Sequence, residues 1–403
     1  MENELTSPTE NRNHRRSVLG SGGFAHFIHD GFTDALFILL PLWAEAFGLS
    51  HTQVGALKMT ASGTLAAFQV PAGLLAEKIG ERPVLAIGTV LAGLGFLALG
   101  FAGGFSTLWV SMFIVGLGCS TQHPLASALV SKAYHGGARR AALGIYNFLG
   151  DVGKVAASVS VASLAVAYGW KTGAMTYGAA GVLGGIAVFL ILGRINVGGP
   201  PKAATPAGKA HAKSKGWGIT DVTGFSSLAA IGMIDTMARL GFLTFMPFLL
   251  VQKGAAVGEL GFALGLVLAG GAAGKLVCGI LAERVGILRT VVLTELSTVA
   301  GIFLLIALPL EGALVLLPFL GVALNGTSSV LYGTVGDFID PDRQARAFGL
   351  FYTLAVGMGA VSPLFYGLIS DALGLEPTLG ILAASVFLTL PLCLLLRPRL
   401  ASA

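Results

Sequence analysis

Long apolar runs separated by short polar turns dominate this chain. Twelve such runs lie at about 24–47, 53–76, 83–103, 106–131, 139–167, 172–194, 221–250, 257–281, 288–309, 312–336, 344–371 and 375–396. Each reaches the roughly 20 residues that an α-helix needs to cross a hydrocarbon layer about 30 Å thick. Lipid offers no partner to backbone N–H and C=O groups, so each run is expected as a helix that satisfies its own backbone. The turns between most of them are short, which makes consecutive helices antiparallel neighbours. Two stretches are polar instead: residues 1–23, with Arg12, Arg15 and Arg16, and residues 195–218, rich in Pro, Gly, Ala and Lys. The first is expected as a tail. The second is expected as a flexible linker between two six-helix bundles, 24–194 and 219–397, with residues 398–403 as a second tail. The first apolar run is too long for a signal peptide and is read as a retained span.

Composition agrees with lipid as the solvent. Of 403 residues, 54% are hydrophobic and only 11% charged, against about 25% charged in a soluble domain. The mean hydropathy is +0.81. The 58 glycines fit closely packed membrane helices, whose association depends on small residues at the seam. Cys119, Cys278 and Cys393 each sit in an apolar run with no CxxC spacing, and are expected as buried small hydrophobes rather than disulfide or zinc ligands.

A net charge of +5 could suggest a nucleic-acid partner, but its distribution describes topology. Of the 25 Lys and Arg residues, 19 fall on one side: the N-terminal tail, the loops after even-numbered helices, the linker and the C-terminus. Lys171 and Lys253 fall on the other side. Positive loops stay inside, so both termini and the linker are expected in the cytoplasm and the protein in the inner (plasma) membrane. No nucleic-acid partner is expected.

The chain also repeats itself. Residues 73–85 read GLLAEKIGERPVL and residues 279–291 read GILAERVGILRTV, an offset of 206 that also relates Pro41 to Pro247 and Gly55 to Gly261. An offset of 205 relates Asp30 to Asp235, Gly116 to Gly321 and Gly144 to Gly349. Six helices per repeat give two halves of the same orientation, related by a pseudo-two-fold axis along the membrane normal.

On these residues the chain resembles the major facilitator superfamily. The first copy matches its helix 2–3 loop signature at Gly73, Leu75, Ala76, Gly80 and Leu85, with Glu77, Lys78 and Arg82 in the charged places and Glu81 where Arg is usual. The second copy supplies Gly279, Glu283, Arg284 and Gly286. The resemblance implies that these are gating residues and that Glu77 latches onto helix 11 near Phe348 and Gly349. A plain solvated turn is the alternative. HFIHDGFTDAL (26–36), GLGCSTQHP (116–124) and the glycine-rich start of helix 5 are similar to fosmidomycin-resistance-type efflux proteins. Met112 stands where such antiporters carry a helix 4 arginine, and Gly150-Asp151 where they carry Gly-Pro.

Charges inside the spans are the candidate chemistry, because a charge at the bilayer centre costs about 2.5–3.5 kcal/mol on insertion scales. Helix 1 places His26, Asp30 and Asp34 on one face at i, i+4, i+8, with His29 beside them. A carboxylate next to a histidine can exchange a proton near neutrality, so His29, Asp30 and Asp34 are expected to couple protons or touch substrate. Helix 7 repeats the theme with Asp235 and Arg239. The Arg239 fork suits a carboxylate, phosphate or phosphonate. It could equally pair with Asp235, or with Asp34 across the halves. In helix 5, Asp151 and Lys154 stand at i, i+3 and could pair with each other. Gln122 and His123, before the kink-permitting Pro124, and Asn147 and Asn325 are expected to line a cavity. Lys58 and Lys275 are expected to snorkel toward the helix ends, and Glu295 has no assigned role.

The expected protein is a twelve-span, all-α secondary transporter working by alternating access. It is expected as a monomer that moves a small molecule by proton-coupled export of a drug or organic anion. Uptake of an organic anion by symport is the alternative. A divalent-metal carrier using His26, His29, Asp30 and His123 is the least favoured, and a receptor or scaffold would not need buried charges. There is no Walker loop, no GxGxxG after a strand, no GxSxG elbow and no HExxH, so no enzyme activity and no cofactor are expected.

Overall fold

In the computed structural model, residues 8–200, 218–340 and 344–400 are described. The extreme tails and most of the expected linker, 201–217, lie outside them. The described residues form α-helices: α1 Pro8–Phe47, α2 His51–Ile79, α3 Glu81–Leu99, α4 Phe105–Cys119, α5 Gln122–Ala133, α6 Gly136–Tyr168, α7 Trp170–Arg194, α8 Val222–Gln252, α9 Val257–Val285, α10 Ile287–Ala307, α11 Leu310–Thr334, α12 Gln344–Leu373, α13 Leu375–Val386 and α14 Thr389–Leu400. Two of the twelve expected spans are broken in the middle. The fourth is α4 plus α5, interrupted at Ser120–Thr121 just before Pro124. The twelfth is α13 plus α14, interrupted at Phe387–Leu388 just before Pro391. A proline in the first turn of the second piece has no N–H to continue the ladder and crowds the carbonyl four residues back.

Eleven spans among the described residues are long and apolar enough to cross a membrane by themselves. The exception is α2, which carries Lys58, Glu77 and Lys78 among many small and polar residues but has the full length. α1 begins at Pro8, well before the apolar run at 24, so the polar residues after Pro8 prolong the first span as helix. Outward faces are apolar: Val70, Phe101, Phe148, Leu183, Leu276, Phe319 and Leu394 are all exposed, as lipid-facing positions would be. Cys119, Cys278 and Cys393 are free and buried.

By packing, the chain divides into one unit of residues 1–36 and 67–205 and a second of 37–66 and 206–403. The C-terminal end of α1 and the start of α2 therefore belong with the C-terminal helices. Inside that second unit, Asp371 near the end of α12 caps α2: its carboxylate accepts from the His51 and Thr52 N–H groups at 2.8 and 2.9 Å. His51 Nδ1 meets Ser370 Oγ at 2.7 Å. A carboxylate on a helix N-terminus satisfies orphan donors and opposes the helix dipole. Lys58 does not snorkel. It is buried over the Phe37 ring, 4.0 Å from its centroid.

The internal repeat extends to the backbone. Gly80 ends α2 at φ 94°, ψ 154°, and Gly286 ends α9 at φ 93°, ψ 152°. Only glycine takes such angles without strain. The two turns differ in surroundings. The Arg82 N–H donates to Gly198 O at 2.7 Å, and a Cβ on Gly80 would strike the backbone of Gly198 and Gly199. The first residues of the expected linker are thus strapped over the first turn, whereas Gly286 faces open space. Gly286→Ala is expected to lower stability by about 1–3 kcal/mol of backbone strain. Gly80→Ala should cost more, because the strap must also move. Thermal unfolding of the two purified variants in detergent checks the order.

Candidate functional site

Each unit carries its own cluster of buried charge. In the first unit α6 crosses α1 on two glycines: a Cβ on Gly150 would meet His26 and Asp30, and one on Gly153 would meet the Phe27 backbone. This close approach brings Lys154 of α6 to Asp30 of α1. Lys154 Nζ lies 3.2 Å from Asp30 Oδ2 and 3.1 Å from Asp151 Oδ1. His26 Nε2 lies 3.1 Å from the same Asp30 oxygen, and His123 Nε2, from the start of α5, lies 3.7 Å from Asp30 Oδ1. His26 is fixed in turn by Nδ1 against Tyr146 O at 3.0 Å and by stacking on the Tyr146 ring. One carboxylate is therefore ringed by an ammonium and two imidazoles, in a bundle where an uncompensated charge is costly. Asp34, one turn further along α1, is buried and accepts from the Thr33 hydroxyl at 3.0 Å.

His29 leaves this cluster. Its Nε2 bonds Thr89 Oγ1 of α3 at 2.7 Å, because consecutive helical residues point about 100° apart. Gln122 is fully buried and donates to Tyr146 Oη at 2.7 Å, with its Oε1 unpartnered. Asn147 is exposed, and Asn325 bonds Gly321 O within its own helix at 3.3 Å. Of the four possible metal ligands only His26, Asp30 and His123 converge, their ligand atoms lying within 4.8 Å of one another. Lys154 already supplies the cation that this carboxylate needs, and an ammonium beside a divalent ion is repulsive. The donor set therefore suits proton exchange better than metal binding.

In the second unit, Asp235 and Arg239 lie on α8 as the spacing required. Their side chains form no ion pair within 4 Å among the described residues. Asp235 Oδ2 and Arg239 Nε are both buried without a hydrogen-bond partner. Asp235 lines a small cavity with Thr236, Ser328 and Tyr332. Glu295 of α10 completes the group: it is buried, its Oε1 is also unpartnered, and it lies close enough to Asp235 for the two charges to interact. Nothing local in the sequence around Glu295 distinguishes it; its insertion cost was the one available signal. Among the signature residues, Glu77, Lys78, Glu283 and Arg284 are exposed at the helix ends, while Arg82 stacks over Phe189 at 5.0 Å.

Twelve helical spans among the described residues, eleven of them apolar enough to cross a membrane by themselves, with charges held inside the bundles, define a multi-pass membrane protein. The chain belongs to the Major Facilitator Superfamily, whose sequence profile matches residues 22–252 and 228–403. Its relatives include the uncharacterized MFS-type transporter YfnC of Bacillus subtilis, 26% identical over 89% of this chain and 87% of that one. The fosmidomycin resistance protein of Escherichia coli K12 is 24% identical over 89% and 87%. The 3-(3-hydroxy-phenyl)propionate transporter of the same organism is 26% identical over 85% and 83%. In fold the chain is similar to a bacterial homolog of the human lysosomal transporter Spinster, with a TM-score of 0.81 over 98% of each chain at 17% identity.

Proposed function

We propose that this protein is a proton-coupled carrier of small organic anions in the inner membrane, with both termini cytoplasmic, and that anion and proton bind together. The observation that carries this is Lys154 shared between Asp30 and Asp151. An anion drawn to Lys154 competes with those carboxylates. A carboxylate that loses its cation in an apolar bundle must take up a proton instead, and His26 and His123 stand beside Asp30 to deliver it. Arg239, with its unpartnered Nε, supplies a second anion-binding group in the other unit. Co-binding of this kind makes the carrier a symporter, which shifts the weight from export to uptake. The second reading, export by proton antiport, is favoured by the fosmidomycin-resistance relative. On either reading Glu77 and the two signature turns serve the gates.

Proteoliposomes given a pH gradient of either sign separate the readings, with fosmidomycin and 3-(3-hydroxyphenyl)propionate as probes. Symport predicts faster entry of the anion when the outside is acid. Antiport predicts faster entry when the inside is acid. Flux of both probes that ignores either gradient would remove proton coupling.

A further inference from the structure

Asp235 and Glu295 are buried acidic residues that the proposal above leaves without a task, 5% and 3% exposed. An offset of 205 sets Asp30 against Asp235, whereas the 206 of the signature turns, which also links Pro41 of α1 to Pro247 of α8, sets His29 against Asp235 and Thr89 against Glu295. In the first unit that pair is a direct hydrogen bond, His29 Nε2 to Thr89 Oγ1 at 2.7 Å. In the second unit the same two helix positions hold two carboxylates. Two carboxylates cannot make that bond unless one proton lies between them.

The surroundings agree. Asp235 Oδ2 and Glu295 Oε1 both lack a partner. The Thr294 hydroxyl donates to helix carbonyls, Thr290 O and Val291 O, each at 3.0 Å. The Thr327 hydroxyl donates to Thr294 Oγ1 at 2.6 Å. Thr327 also lies beside Glu295, so a single hydroxyl proton serves both Thr294 and that carboxyl. The other titratable groups around the pair are Arg239 on α8, Tyr332 on α11, with Tyr352 of α12 beyond it, and Cys393 on α14. Arg239 is the cation among them and offsets one carboxylate, not two. The cavity against Asp235, about 10 Å³, has room for about one water, through which a proton could come and go.

We propose that Asp235 and Glu295 form a carboxyl–carboxylate pair holding one exchangeable proton, and that this pair is the coupling-proton site of the second unit. The proposal deepens the proton-coupled reading. Proton on the pair leaves Arg239 free for an anion; proton lost turns Arg239 back toward two carboxylates.

Infrared difference spectroscopy of the full-length protein in lipid tests this without a substrate. The wild type at neutral pH should show the carbonyl stretch of a protonated carboxyl group that disappears in strong alkali. Glu295→Gln should remove that band, and Asp235→Asn should abolish or shift its titration. The double variant Asp235→His/Glu295→Thr copies the hydrogen-bonded pair of the first unit. It should fold with wild-type thermal stability and show no such band. Absence of the band in the wild type, or its survival unchanged in both single variants, overturns the proposal. Saturable stabilisation by Na⁺ over K⁺ that is lost in both variants, with no band, also overturns it and makes the ion sodium. If the band behaves as expected while flux ignores pH gradients, the proton pair stands and the coupled-transport reading fails.

Discussion

Lys154→Met is expected to abolish pH-driven flux and to destabilise the first unit. Lys154 Nζ reaches both Asp30 and Asp151. Removing one partner of a buried ion pair typically costs about 3–5 kcal/mol, because the remaining charge is stranded. Lys154 is a quarter exposed, which puts the expected loss at the lower end, near 3 kcal/mol. Flux should fall by at least about a hundredfold, the equivalent of roughly 2.8 kcal/mol. The double variant Asp30→Asn/Lys154→Met separates structure from mechanism. It removes both charges together, so stability should largely return, while transport should not. Non-additivity in such a cycle is the signature of direct coupling. Retention of gradient-driven flux in Lys154→Met would take this cluster out of the mechanism.

The parts of the molecule that were legible in the sequence are those that lipid forces. Every spanning run had to become helix, because no other backbone satisfies itself there, and the broken fourth span followed from Pro124. The twin turns at Gly80 and Gly286 were legible because their φ near +94° demands glycine. Partnership between helices was not legible. Periodicity placed His29 on the same broad face as Asp30, yet it cannot say which neighbour each residue meets, and His29 turns to Thr89 of α3. Likewise an apolar pattern does not reveal that residues 37–66 pack with the C-terminal helices. Glu295 escaped for the same reason: a single carboxyl on a peripheral-looking helix gains meaning only when α8 supplies Asp235. The polar start of α1 resembles a tail in sequence because composition marks where lipid ends, not where a helix does.

Arg239→Ala should lower the affinity for organic anions by about 10²–10³, the cost of truncating one partner of a buried charge pair at roughly 3–4 kcal/mol. Arg239→Lys should recover only part of this, since an ammonium cannot hold two anion oxygens in one plane. Ligand-induced thermal stabilisation provides the measurement. A saturating anion, at about 100 times its Kd, stabilises wild type by about 2.7 kcal/mol, and the alanine variant should lose that increment at the same concentration. Arg239 also offsets the charge of Asp235 and Glu295, so its removal lowers the stability of the unliganded protein as well. Arg239→Ala/Glu295→Gln resolves the two effects: with one acid neutralised the fold should recover, but anion binding should not. The pH dependence has a fixed sign if one proton binds with each anion. The apparent affinity then rises as pH falls, by at most about tenfold per pH unit. Glu295→Gln should flatten that slope while leaving the Arg239 contact in place. Wild-type anion affinity in Arg239→Ala would assign recognition to Lys154 alone and reduce the second unit to a proton site.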